Sequence, residues 1–202
     1  MKKELNIRGA ALAVVSMIVL GGCSERPESM VASAKDFLAK NDRPAAVIQL
    51  RNALQKNPDL AEARFLLGKS LLENGEYLAA EKELRKASEF GYSYDEVTPL
   101  LARALVLHGD HKAVIDEFGK AEIRGNAGAS ELQTSLGQAH LALNEPDKAK
   151  ERFSAALRLQ PENGQALLGQ ARVTAVEGNL ANATTMVESA LAKAPTLPRA
   201  GS

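Results

Sequence analysis

The chain has 202 residues, enough for one domain or a short solenoid, and a formal net charge of zero. Balanced charge supplies no global field to draw in nucleic acid or anionic lipid, and a single cysteine excludes a disulfide framework or a zinc site built on several thiolates. Aromatic residues at 4%, no Trp and 45% apolar residues favour helices packed through small side chains over a sandwich or a barrel.

The first stretch does not belong to a fold. Lys2, Lys3 and Arg8 precede an apolar run of 11 residues, Ala10 to Leu20. A spanning helix needs roughly 18 apolar residues or more, so this run fits the h-region of a secretory signal peptide instead. It ends in Leu20-Gly21-Gly22-Cys23, which resembles the lipobox of bacterial lipoproteins, a family whose Cys is lipidated and becomes the new N-terminus. The expectation is a signal peptide over 1–22 and lipidation, palmitate included, at Cys23. An ordinary signal peptide, or an uncleaved anchor with an idle thiol, is the alternative. One acyl chain, at about 0.8 kcal/mol per buried CH₂, holds a protein only marginally, whereas the two or three of a bacterial lipoprotein hold it firmly. Ser24 stands where an Asp would resemble an inner-membrane retention signal, which favours the outer membrane, facing the periplasm. The mature chain keeps 22 basic and 24 acidic side chains, a formal charge of −2.

A tether is expected over 23–29, and then the chain repeats itself. Between Ala61 and Tyr94, Arg64, Leu67, Gly68 and Leu71 recur at helical spacing, Asn74-Gly75-Glu76 interrupts, and Ala80, Leu84 and Ala87 resume. A shift of 34 residues brings Leu67 onto Leu101, Gly75 onto Gly109 and Ala87 onto Ala121. A backward shift finds Ala46, Leu50, Ala53 and Pro58. Two helices recurring at a period of 34 resemble the tetratricopeptide repeat. The units are framed near 27–60, 61–94, 95–128, 130–163 and 164–197, within a repeat domain over 30–197. Arg124 to Gly128 is expected to be a loose loop, with one extra residue shifting the frame. The eighth place of each unit is Ala34, Gly68, Ala102, Gly137 and Ala171, and the twenty-seventh is Ala53, Ala87, Ala121, Ala156 and Ala190. Small side chains there let helix backbones approach, and a large one would cost about 1–3 kcal/mol in overpacking. The predicted fold is an all-α right-handed superhelix of about five helix pairs with a concave face. Residues 198–202 form a tail without a capping helix, as if more repeats followed.

A finer resemblance lies in Ser33 to Asp42, Ala45 to Leu50, Asn52 to Pro58, Ala61 to Lys69, and Glu96-Val97 with Pro99 to Leu105. These stretches resemble the PrsT family, the tetratricopeptide-repeat lipoproteins of the PEP-CTERM/exosortase system, whose members are much longer. The resemblance implies a bacterial envelope protein near exopolysaccharide production, with a scaffolding role.

No catalytic constellation stands out, so no enzyme, cofactor or metal is expected. His108 and His111 straddle a turn and are expected to be solvated, and His140 falls at a core offset and is expected to be packed. No phosphate-binding Gly loop or Gly-x-Ser-x-Gly elbow occurs. In tetratricopeptide repeats the first helix of each unit lines the concave groove. Its ninth place carries Lys35, Lys69, Arg103, Gln138 and Arg172, and its second carries Glu28, Glu62, Glu96, Glu131 and Gln165. Seven residues make about two turns, so both rows share a face. Between them lie Val31, Phe65, Pro99, Thr134 and Leu168. Lys35, Lys69, Arg103, Gln138, Arg172, Phe65 and Leu168 are therefore the candidate partner-binding residues. The rows would bind protein segments or, alternatively, an acidic exopolysaccharide, and not nucleic acid. The competing expectation is that the charges pair weakly between neighbouring repeats, worth about 0–1 kcal/mol each.

Overall fold

The structure, a computed structural model, describes residues 25–193. The expected signal peptide, Cys23 and the 198–202 tail lie outside the described residues. Ten helices and no strand are found among the described residues: α1 (Pro27–Ala39), α2 (Arg43–Lys56), α3 (Ala61–Glu73), α4 (Tyr77–Glu89), α5 (Tyr94–His108), α6 (His111–Phe118), α7 (Asn126–Ala142), α8 (Pro146–Leu159), α9 (Gly164–Val176) and α10 (Leu180–Lys193). They form five successive pairs: the two helices of each pair pack on each other, and α2, α4, α6 and α8 each pack on the first helix of the following pair.

The turn inside each pair is one device used five times. Asn41, Gly75, Gly109, Asn144 and Gly178 all adopt positive φ, between 59° and 97°, at the fifteenth place of their units. The residue after each donates its N–H back to the carbonyl five residues before it: Asp42 to Phe37 (2.8 Å), Glu76 to Leu71 (2.9 Å), Asp110 to Leu105 (2.9 Å), Glu145 to His140 (2.9 Å) and Asn179 to Thr174 (3.1 Å). A left-handed residue satisfies the last carbonyls of the first helix while reversing the chain, and only Gly and Asn take that conformation cheaply. Asp42, Asp110 and Asn179 then cap the second helices of their pairs, accepting from Ala45, Ala113 and Asn182 N–H groups at 3.2 Å. Pro27, Pro44 and Pro146 sit at the starts of α1, α2 and α8, where a missing N–H costs nothing. Pro27 therefore begins α1, and residues 27–29 are helix rather than tether.

Packing follows the small places. Ala34, Ala102 and Ala171 are buried, as are Gly68 and Gly137. A Cβ on Gly68 would stand 2.8 Å from Leu84 Cγ, and one on Gly137 2.7 Å from Phe153 Cε1, so the two glycines occupy equivalent settings. Leu50, Leu84 and Phe153, from the second helices, are fully buried opposite these gaps. A Cβ on Gly169 of α9 would run into the same Phe153 ring. The ring is thus clasped between glycines of two successive first helices.

The third pair departs from the expected period. α6 ends at Phe118, so Ala121 lies beyond the helix and is only half-buried, unlike Ala53, Ala87, Ala156 and Ala190. Gly119 caps α6, and Arg152 of α8 donates to its carbonyl at 3.1 Å, a cation placed on the negative end of a helix. The expected loose loop is shorter than predicted, because Asn126, Ala127 and Gly128 already belong to α7. Gly125, at φ 84°, completes the turn alone, and Arg124 N–H is held by Asp95 Oδ1 at 3.1 Å. Gly128 fits because its side is closed by Ile123, Pro99 and the Asp95 carbonyl.

A groove along the first helices

The first helices touch one another, α3 with α5, α5 with α7 and α7 with α9, whereas no two second helices make comparable contact. Helices that lie closer together mark the inner side of a curved array, so the odd-numbered helices line the concave face. Glu62, Lys69, Arg103 and Arg172 are exposed there, and Gln138, Leu168 and Glu131 are half-exposed.

The two charged rows meet between neighbouring units. Lys35 pairs with Glu62, and Arg103 lies 3.6 Å from Glu131. Each pair joins the ninth place of one unit to the second place of the next. At these exposures the contribution is about 0–1 kcal/mol apiece. At the next step Gln138 and Gln165 occupy the same places with neutral amides. Lys69 and Arg172 have no ion pair among the described residues. Of the basic row, then, Lys35 and Arg103 are engaged within the array, and Lys69 and Arg172 are open.

Most of the intervening apolar row lies deeper than a gripping surface would. Val31 and Thr134 are buried, and Phe65 is 7% exposed, its ring stacked on Tyr92 with centroids 4.3 Å apart. Phe65 nevertheless floors a depression of about 400 Å³ beside Pro99, Leu100, Asp95, Glu96 and Glu131. Tyr92 donates weakly to Glu96 (3.4 Å), and burial, helped by Glu96 and Glu62, pushes its phenol up to about 12. A raised phenol favours the folded state fully below pH 10 and loses that contribution as pH rises from 10 towards 12. A spectrophotometric titration should therefore show one tyrosine ionising near pH 12 in the native protein, absent in Tyr92→Phe. A normal midpoint for all three tyrosines would show that the phenol is not held this way.

Two further depressions adjoin across α5, α7 and α9, of about 400 and 440 Å³. They share Leu107, Gln138 and Gln165, so together they form one trough that also takes in Arg103, Leu168 and Arg172. Its floor is fixed by a polar network. Asn163 donates to Ser130 Oγ (2.8 Å) and Thr134 Oγ1 (3.1 Å) while its oxygen caps α9 through Ala166 N–H (3.1 Å). Ser130 in turn donates to the Ala156 carbonyl at 2.9 Å, and Thr134 to the Ser130 carbonyl at 2.7 Å. Satisfied buried networks hold one geometry, which keeps the trough open without a ligand.

The histidines serve packing and ties between helices. His140 is buried as expected, with Nδ1 2.6 Å from Glu145. Lys148 and His140 hold the Glu145 carboxyl below its usual range. His108 is not simply solvated: its Nε2 lies 2.8 Å from Glu81 of α4, because the end of α5 packs on the preceding pair. Glu81 also accepts from Arg85, which makes two bonds to Glu117 and so ties α4 to α6. Among the described residues no three His, Cys, Asp or Glu are grouped to hold a metal ion, and no helix is long and apolar enough to cross a membrane.

A sequence profile of the tetratricopeptide repeat matches residues 31–94 and 134–198, well over half of the chain. The chain belongs to the tetratricopeptide-repeat family. The unmatched interval between them contains the shortened α6 and the early start of α7, the part of the tetratricopeptide array that departs from the period. No curated protein matches the chain. Solved structures of the same fold include MamA (19% identity, 87% of this chain and 98% of that one, TM-score 0.66). YrrB, described as a tetratricopeptide protein with an unusual peptide-binding site, aligns at 20% identity over 83% and 86% of the two chains, TM-score 0.62. PilF of Pseudomonas aeruginosa aligns at 21% identity over 81% and 76%, TM-score 0.64.

Sequence reasoning missed Gly169, whose only signal is a glycine inside a helical pattern, and the amides of Gln160 and Asn163, which stand outside both rows and carry no charge pattern.

Proposed function

We propose that this protein is a non-enzymatic scaffold whose concave groove holds an extended segment of a partner protein. The supporting observation is the trough across α5, α7 and α9, where Gln138, Gln160 and Gln165 stand beside an apolar wall. A side-chain amide both donates and accepts, so it can bond the N–H and C=O of a peptide backbone without reading its sequence. The peptide-binding site of YrrB, a protein of the same fold, is consistent with this use. In this reading the scaffold sits at the envelope, held by lipid on Cys23 and facing the periplasm, which the leader and lipobox support. Its work lies beside exopolysaccharide biosynthesis or export, a reading supported by the resemblance to the exosortase-linked lipoproteins.

A photo-crosslinking residue at Gln138 or Gln165 should capture a defined protein in cells, whereas the same residue at the outward-facing Lys82 should not. Capture from both faces alike would end the groove assignment, and retention of purified exopolysaccharide by the chain alone would transfer it to direct polymer binding. For the anchor, an alkynyl palmitate fed to cells should label the wild-type chain and leave Cys23→Ser unlabelled and in the soluble fraction. Equal labelling of both would remove Cys23 as the attachment point.

A further inference from the structure

The groove differs in charge between its two ends. Around Phe65 and Pro99 it is rimmed by three carboxylates, Asp95, Glu96 and Glu131, against one cation, Arg124. Between α5, α7 and α9 the hollow has an apolar wall of Val106, Leu107, Leu141, Phe153 and Leu168, and no carboxylate lines it. The cause is in the rows: the acidic place reads Glu62, Glu96, Glu131 and then Gln165, so the carboxylates stop one unit short of Arg172. Two polar groups of this hollow lack partners among the described residues. The Arg172 side chain makes no hydrogen bond or ion pair, and His111 Nδ1 is buried with no hydrogen bond.

We propose that this rear hollow receives an acidic residue next to an aliphatic one, and that the partner segment therefore lies in one direction, with its basic portion over α3 and α5. The proposal rests on the groove assignment above and adds the chemistry and polarity of the occupant. Arg172 can take a carboxylate through two parallel N–H bonds, which a neutral or basic residue cannot supply. The aliphatic neighbour covers Leu107, Leu141 and Leu168 and removes apolar surface from water. Reversed, the segment would set its carboxylate against Asp95, Glu96 and Glu131, and like charges set the wrong register at a cost.

The test is selection from a randomised octapeptide library on the immobilised full mature chain. Enriched peptides should carry Asp or Glu beside Leu, Ile, Val or Met, with Lys or Arg on one fixed side of that pair. Arg172→Glu should reduce the acidic preference at least tenfold, with Arg172→Gln in its place if the helical circular dichroism signal falls. Lys82→Glu, exposed on α4, should leave the preference unchanged. Enriched peptides without the acidic–aliphatic pair, equal enrichment of both charge orders, or a preference indifferent to Arg172 would each overturn the directional proposal and leave groove binding standing. No enriched peptide of any kind would overturn both.

Discussion

Phe153→Ala should destabilise the chain by about 3–5 kcal/mol, as expected for a large aromatic removed from a fully buried site. Its ring fills the space above Gly137 of α7 and Gly169 of α9, so the loss falls on the joint between the fourth and fifth pairs. In an array whose units hold only their neighbours, the fifth pair should open first, giving a separate early transition in denaturant. The partner experiment comes from the glycine side. Gly169→Ala would drive a Cβ into the ring, and overpacking of this kind costs about 1–3 kcal/mol, offset by roughly 1 kcal/mol of improved helix propensity. In the presence of Phe153→Leu the same alanine should cost less, since the smaller side chain leaves it room. Equilibrium unfolding of the four proteins measures the coupling. If the single effects add to within about 0.5 kcal/mol, the clasp around Phe153 is not a real contact.

Arg64→Met is expected to cost on the order of 3 kcal/mol, and Glu83→Leu added to it should recover most of that loss. Arg64 on α3 and Glu83 on α4 form a pair at 2.6 Å, with side chains only 11% and 15% exposed. The Arg64 Nε also reaches the Pro58 carbonyl at 3.0 Å, holding the preceding turn. Removing the guanidinium leaves a desolvated carboxylate without its counter-charge, which is worse than having no ion pair at all. Two apolar side chains of similar volume avoid that penalty. The fourth unit supports the exchange, because Gln133 and Arg152 occupy the same two places and meet at 3.2 Å with a neutral partner on α7. A double variant as unstable as Arg64→Met would mean that the Pro58 contact, rather than the charge, supplies the stabilisation.

Local features of this kind were visible in the chain to different degrees. Gly75, Gly109 and Gly178 mark the turn, but Asn41 and Asn144 do the same work and escape a search for glycine. The eighth-place small residues were legible because a large side chain of the same pair closes over the place, Leu84 over Gly68 and Phe153 over Gly137. The twenty-seventh failed once, at Ala121, where α6 stops early. Gly119 weakens that helix, but its carbonyl is taken by Arg152 from the next pair, a contact more than thirty residues away. The candidate groove was legible as a face and not as a site. Nothing local showed that Lys35 and Arg103 would be held by Glu62 and Glu131 or that Phe65 would lie against Tyr92.

By itself, the sequence determined the helix pairs, their recurrence and which side chains share a face of each first helix. These depend on side chains within a few turns of one another, and a period of about 34 records them directly. Only the tertiary structure decided which of those side chains remain available. Neighbouring units meet through reach and angle rather than through spacing, so the ladder that occupies Lys35 and Arg103, the trough across α5, α7 and α9, and the opening left at Arg172 exist only once the pairs are stacked.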